Sequence, residues 1–583
     1  MGMFNDDSND GQSERVIQGE RVSVLGQAKM RLVMVALLLL LGYTAISLRL
    51  VDLTLLRSKP IQQVALLEGD VKPLDHPLRG TILDRNGELI ATSLAMASVY
   101  ADTTIIDNKP QLAKQLSQIL QGQSEADLLR KLTSGKKFIW IERNITPKQE
   151  YAINALGQPG LSFQEEDRRI YPGASLTSHL IGYTDVDGHG ISGIEKFANK
   201  QLEKGDKPVK LTIDLRIQHI MHRELEASVA KFHAKAGVGI VMDVNTGEII
   251  AMVSLPDFDP HHPGDSPDDA KFNRATLGVF EMGSTFKLFS SSAALDSGKV
   301  TFASNFDAAE PIHYGRFTIT DYHAKKRVLS VPEIFIYSSN IGTARMAASL
   351  GGNTLQDFYK SLGFFTPVPV ELPERGQPLY PSPWRDISTL TCSFGHGIAV
   401  SPLHVIRATS ALVNGGILVT PTLLEKDNES LSLTPQGTRV IKPQTSQMIR
   451  QLMALNVADG SGAQAAVDGY NVGGKTGTAE KNKGGRYEHN LLLSSFMGAY
   501  PIGNPRYAVL AILDEPKGIP ETHGFATAGW TAAPVVARVV EQMAPLYHIT
   551  PEADSRRDII RDLGMYLKEF KEGKSLAATG YDR

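Results

Sequence analysis

Ser284-Thr285-Phe286-Lys287 is the smallest unit in this chain that can begin an acyl transfer. A serine hydroxyl is a poor nucleophile until a base takes its proton. Lysine is such a base only when neutral, so burial or nearby positive charge must lower its pKa. A helix opening at Ser284 places Ser284 and Lys287 on one face, one turn apart. Its N-terminal dipole favours negative charge developing on the serine. Alone, the pair is a frequent chance pattern, and an exposed Ser and an exposed Lys is the better reading of it.

Two later groups supply what the pair lacks. Ser338-Ser339-Asn340 offers a second hydroxyl to pass a proton toward a leaving group and an amide to hold a substrate carbonyl. By itself it reads as a turn or a cap. In Gly474-Lys475-Thr476-Gly477-Thr478, Lys475 offers positive charge and Thr476 a hydroxyl for an anionic substrate end. Gly477 lets a substrate backbone lie against the strand with no Cβ in the way. The N–H groups of Thr478 and Ser284 can form an oxyanion hole.

In this order, S-x-x-K, S-x-N and K-T-G match the set shared by penicillin-binding proteins and class A β-lactamases. Over nearly its whole length the chain resembles a class B penicillin-binding protein. RGTILDRNGELIATS at 79–93, RRIYPGASLTSHLIGY at 168–183 and GISGIE at 190–195 resemble that family's pedestal motifs, and FNRATLGVFEMGSTFK at 272–287 resembles its approach to the active serine. Met282 stands where many relatives carry Pro. KTGTAEKNKGGRYEHNLLLSSFMGAYP at 475–501 and SFGHGIAVSPLH at 393–404 favour the division type over the elongation type. The resemblance implies a peptidoglycan D,D-transpeptidase of the septum that β-lactams inactivate, with Ser284, Lys287 and Ser338 catalytic. Asn340, Lys475, Thr476, Gly477 and Thr478 then bind substrate. It implies stem peptides as substrate, and a membrane glycosyltransferase and division-complex proteins as partners. A β-lactamase, a β-lactam sensor and a silent division scaffold share parts of this pattern.

The elements that must position these groups point to an α+β fold. Ile217, Ile220, Met221, Leu225 and Val229 share one face of a helix over 215–232. Two apolar runs, 237–243 and 248–254, flank a four-residue turn and predict a hairpin. Helices fill the middle, strands return near 470–515, and a helix closes the domain after Pro534. The expectation is an antiparallel sheet flanked by helices, behind an elongated pedestal and a single N-terminal transmembrane helix. Leu32–Leu48 carries no charge, and Arg15, Arg21, Lys29 and Arg31 precede it. The positive-inside rule sends the body outside the inner membrane. No small-x-small cleavage site follows, which argues against a signal peptide. The expected order is cytoplasmic tail 1–30, polar and disordered in expectation, then anchor 31–50 and pedestal 55–211. Transpeptidase domain 212–550 and a solvated tail 551–583 complete it. Some 160 pedestal residues leave no room for a glycosyltransferase domain.

Other chemistries fall away on context. Gly469 to Thr476 spells G-x-x-x-x-G-K-T and 509–515 resembles a Walker B strand, but no strand-like run precedes the first and glycines interrupt any helix after it. Gly188 to Gly193 spells G-x-G-x-x-G without a surrounding βαβ unit and reads as a turn. Cys392 is the one cysteine, which excludes a disulfide framework within the chain. It lies in an apolar stretch, as an inert buried thiol does. His179, His323, His396, His489 and His261-His262 lack ligand spacing, so no metal or cofactor is expected. His323 stands open as a cleft residue. A net charge of −3 gives no reason for nucleic-acid binding.

Overall fold

The structure is a computed structural model that describes residues 29–47, 71–72, 77–315, 317–425, 435–483 and 486–568. The expected tail before residue 29, anchor residues 48–50, the start of the pedestal at 55–70 and tail residues 569–583 lie outside the described residues. Lys29–Ser47 is a 19-residue helix of mean hydropathy 2.0, long and apolar enough to cross a membrane.

Contacts divide the chain into two units. The first includes Val99–Ile141 and Tyr151–Gln164. It contains a pair of helices, Lys109–Ile119 and Glu125–Leu132, that pack on each other. Asn108 and Ser124 start the two helices by accepting the N–H of Gln111 and Asp127, each at 3.1 Å. Leu112, Leu116, Leu128 and Leu132 are buried.

The second unit holds Pro73–Ser98, Glu142–Glu150 and everything from Glu165 onward. Here the three pedestal motifs meet in one buried ion network. Arg79 Nε donates to Glu195 Oε2 at 2.7 Å, and Arg169 Nε donates to Glu195 Oε1 at 2.7 Å. Arg79 also reaches the Glu195 carbonyl and Asn199 Oδ1, each at 2.8 Å, and Arg169 reaches the Gly80 carbonyl at 2.8 Å. The Glu195 side chain is fully buried. Its carboxylate balances two cations that have left water, so losing it strands both. Glu195→Ala is expected to cost about 3–5 kcal/mol, seen as a lower denaturation midpoint.

The sheet of this unit has five antiparallel strands in the order Gly473–Lys483, Arg486–Tyr500, Tyr507–Asp514, Ala236–Asp243, Ile249–Leu255. The last three are buried at every residue, which is why their sequences are apolar without alternation. Leu215–Lys231 and Ala532–Leu546 supply Ile217, Leu225, Val536 and Val540 to one core, together with Val509, Ala511 and Val241. On the second core Lys287–Asp296, Pro402–Val413 and Pro443–Asp459 bury Phe289, Val405 and Leu452 with Leu510, Ile240 and Met252.

One expectation is corrected. Residues 551–568 are not a solvated tail. They contain the helix Arg556–Gly564 and bury Leu563 and Leu567 in the second core. The segment's charged residues are largely exposed, and its apolar residues at helical spacing pack on the helix Pro443–Asp459 and the second core.

Candidate active site

Ser284 stands in a single turn of 3₁₀ helix, Gly283–Phe286, and the α-helix proper begins at Lys287. The expected α-helical start is therefore one tighter turn, in which residues i and i+3 eclipse, so Ser284 and Lys287 still share a side. Gly283 has φ +50°, and a Cβ there would meet the Thr478 carbonyl oxygen at 2.7 Å. The peptide leading into Ser284 thus lies directly against the K-T-G strand, which is an edge of the sheet. An edge strand keeps one side of its backbone free of a strand partner. Gly477 is equally constrained: a Cβ would meet Thr285 Oγ1 at 2.1 Å and Ser495 Oγ at 2.5 Å.

Lys287 is 1 % exposed. Its ammonium donates to the Ser338 carbonyl, to Ser338 Oγ at 3.1 Å and to Asn340 Oδ1 at 2.7 Å. Burial, and then the positive charge of Lys475, push its pKa well below the usual lysine value, against a smaller opposing pull from Asp321. Lys475 is fully buried. It donates to the same Ser338 Oγ at 3.1 Å and to the Thr476 carbonyl at 3.1 Å. Burial lowers its pKa to about 7. Ser338 Oγ therefore sits between two lysine nitrogens. A hydroxyl accepts twice and donates once, so both lysines can be satisfied while the Ser338 proton stays available to the cleft. Neither lysine has an ion-pair partner among the described residues.

Ser338 occupies a turn between Val331–Ile336 and Asn340–Leu350, at φ +55°. Such a backbone in a non-glycine residue must be held by its surroundings. Asp321 does part of the holding. Its carboxylate accepts from Ser339 Oγ at 2.6 Å and from the Ile341 N–H at 2.9 Å, while Asn340 Nδ2 donates to the Thr320 carbonyl at 3.0 Å. Asp321→Ala is expected to slow acylation of Ser284 by about 10- to 100-fold through misplacement of Ser338. Because Asp321 raises the Lys287 pKa, the acid limb of the rate profile moves to lower pH in this variant, and stopped-flow labelling across pH reads both effects.

Hydrogen bonds link Lys287, Ser338, Asn340, Lys475 and Thr476 of the eight expected residues, and two groups lay unnoticed beside them. Ser461 Oγ is 2.6 Å from Thr476 Oγ1 and donates to Asn456 Oδ1 at 3.1 Å. It sits in Gly460-Ser461-Gly462 just after the helix Pro443–Asp459, and its glycine flanks were the available signal. Asp321 was passed over for its neighbour His323, which is exposed and stacked edge-on against Tyr322 at 4.5 Å. Thr478 is expected to act through its backbone N–H; its side chain accepts from the Ala528 N–H at 3.3 Å, and its carbonyl lies against Gly283. The hydrogen bonds of Lys287 go to Ser338 and Asn340, not to Ser284.

The competing motifs resolve as structure. Gly473–Lys483 is a strand, so Lys475 is not in a phosphate loop before a helix. Gly188 has φ +85° in a turn closed by the Thr184–Gly190 bridge. His179 is buried with its Nε2 on the Ala270 carbonyl at 2.8 Å. His396 stacks on Tyr487 at 5.2 Å, and His261 and His262 both bond Asp259. The side chain of His489 lies outside the described residues. Burial pushes the Cys392 thiol up to about 12, so it is unreactive. No group of three metal-ligating side chains occurs among the described residues.

Residues 237–541 match the family model for the penicillin binding protein transpeptidase domain, and 74–214 match that for the penicillin-binding protein dimerisation domain. The chain belongs to the penicillin-binding protein transpeptidase family. Within it, the chain is 41% identical over 480 residues to a probable peptidoglycan D,D-transpeptidase FtsI of Caulobacter vibrioides, covering 80% of this chain and 81% of that one. It is 30% identical over 526 residues to the peptidoglycan D,D-transpeptidase FtsI of Escherichia coli K12, covering 83% and 87%. In fold it is similar to penicillin binding protein 3 of Mycobacterium tuberculosis solved with aztreonam, at TM-score 0.65 and 23% identity, over 82% of this chain and 98% of that one. The fold family is thus that of serine acyltransferases with an α+β transpeptidase domain.

Proposed function

We propose that this chain is a peptidoglycan D,D-transpeptidase of septal wall synthesis, anchored by Lys29–Ser47 in the inner membrane with its body on the outer side. The observation that carries the chemistry is Ser338 Oγ, held at 3.1 Å from both Lys287 Nζ and Lys475 Nζ. Two buried lysines around one hydroxyl, neither in an ion pair among the described residues, suit a substrate that brings its own carboxylate, as a D-Ala-D-Ala stem does. Ser284 Oγ attacks the carbonyl carbon of the penultimate D-Ala, and its proton passes to neutral Lys287. Backbone N–H groups of Ser284 and Thr478 receive the oxyanion. As the tetrahedral intermediate collapses, the C–N bond breaks. The departing D-Ala amine takes a proton from Lys287 by way of Ser338. An ester on Ser284 remains. The amine of a second stem attacks that ester, its proton returns through the same pair, and Ser284 is regenerated. Asn340 holds the acyl side, while Lys475, Thr476 and Gly477 hold the carboxylate end. A β-lactam follows the first half of this path and stays as a slow ester.

The septal assignment rests on the identity to relatives named FtsI. It brings with it a membrane glycosyltransferase and division-complex proteins as partners. Incubation with uncross-linked glycan bearing pentapeptide stems is expected to release D-Ala and yield cross-linked dimers. Release without dimers points to hydrolysis instead. Rapid turnover of benzylpenicillin points to a β-lactamase. In cells, depletion is expected to give filaments; loss of rod shape indicates the elongation role. Rescue by Ser284→Ala indicates a scaffold whose chemistry is dispensable.

A further inference from the structure

Two helices behind the site, Val331–Ile336 and Pro443–Asp459, are held from outside by one short stretch of chain. That stretch, residues 555–568, lies beyond residue 541, where the transpeptidase match ends. Its helix Arg556–Gly564 packs on Pro443–Asp459. Leu563 and Leu567 are 3 % and 5 % exposed. Tyr566 meets the ring of Phe302 edge-on at 5.9 Å.

Two of its polar contacts fall on one element, while the Ser555 N–H donates to Asn471 Oδ1 at 3.1 Å and Arg556 reaches Asp468 at 3.2 Å. Ser330 Oγ donates to the Tyr566 carbonyl at 2.7 Å, and the Lys568 N–H donates to Glu333 Oε1 at 2.8 Å. Ser330 and Glu333 are the two halves of the capping box that starts the helix Val331–Ile336. Glu333 is fully buried and also paired with Arg327 at 2.9 Å. The six-residue helix it starts is only about 9 Å long. The Tyr337 N–H donates to the Glu333 carbonyl at 3.0 Å, and the Ser339 N–H donates to the Ile334 carbonyl at 3.0 Å. Ser338 stands between those two anchored amides, so movement of the cap reaches it with little slack. On the other side, Asn456 of Pro443–Asp459 donates to the Gly474 carbonyl at 2.9 Å, next to Lys475.

We propose that residues 555–568 are a C-terminal clamp that positions Ser338 and Lys475 from behind, with Glu333 as the positioning residue through which it acts. The inference rests on reading Ser284 as the acylated residue. Rapid-mixing kinetics of fluorescent-penicillin labelling across pH compare three chains: the intact protein, a form ending at Asp554, and Leu563→Ala with Leu567→Ala. The shortened form is expected to label at least about tenfold more slowly, and a synthetic peptide of residues 551–568 to restore part of the rate. The acid limb moves to higher pH, because Lys287 gains solvent when Ser338 and Asn340 draw away. A purely structural segment lowers only the fraction of molecules that label, leaving rate constant and pH profile unchanged; that result overturns the clamp, as does an intact rate in the shortened form. If the shortened form does not fold, the double alanine chain, which retains the segment, carries the same comparison. Failure of the intact chain to label rejects the acyl-transfer reading instead.

Discussion

Ser284→Ala is expected to take up no covalent penicillin, with acylation falling by roughly 10⁶-fold, the scale on which loss of a serine nucleophile acts. The neighbouring groups leave no substitute. Ser338 Oγ is already bonded by both lysines, and Thr285 Oγ1 is turned away to Ser495 Oγ at 3.0 Å. The fold is expected to survive, because Ser284 is half-buried at the cleft and alanine fits the same 3₁₀ turn. Gel fluorescence after labelling, with a thermal melt of the same sample, makes the measurement. Equal labelling of native and variant chains places the nucleophile elsewhere. A melt lowered by many degrees makes the loss of label a folding effect.

Lys287→Arg tests the base, and the expected loss is about 10²- to 10⁴-fold in acylation rate. A guanidinium keeps positive charge and hydrogen bonds but does not give up its proton in the usable pH range. Lysine succeeds there because the site removes its proton: it is almost fully enclosed, and Lys475 repels the charged form. The sign of the pH dependence follows. Below its lowered pKa Lys287 is charged and cannot accept from Ser284, so the native rate falls toward acid. Lys475 must be charged to hold the carboxylate, so the rate falls again as pH rises past about 7 in the free enzyme. Lys475→Gln removes a repelling charge and is expected to move the acid limb to higher pH, opposite to Asp321→Ala. Stopped-flow labelling from acid to alkaline pH separates the two. An unchanged acid limb in both variants removes Lys287 from the role of base.

Motif order carried most of the site, because each motif is a local pattern whose chemistry depends on residue type. Ser284, Lys287, Ser338 and Lys475 were all visible that way. Asp321 and Ser461 were not: an Asp beside a Tyr, and a Ser between glycines, look like any loop until the fold closes them onto Ser339 and Thr476. The network of Arg79, Arg169 and Glu195 shows the same limit. Its motifs were legible, but their convergence on one carboxylate was not. The segment 551–568 was misjudged, since five apolar residues in a charged stretch carry little periodic signal, and their effect depends on a core built elsewhere.

What the sequence by itself determined is the reaction class. A serine, a lysine three residues on, a second serine and a K-T-G in that order specify an acyl transfer, and helical periodicity with apolar runs around turns sets the α+β frame. What only the tertiary structure decided is the state of the two lysines. Neither residue type nor spacing says that Lys287 and Lys475 lie buried around one hydroxyl. Their pKa values follow from enclosure and mutual repulsion, which arise only when the edge strand, the 3₁₀ turn and the Ser338 turn are packed together.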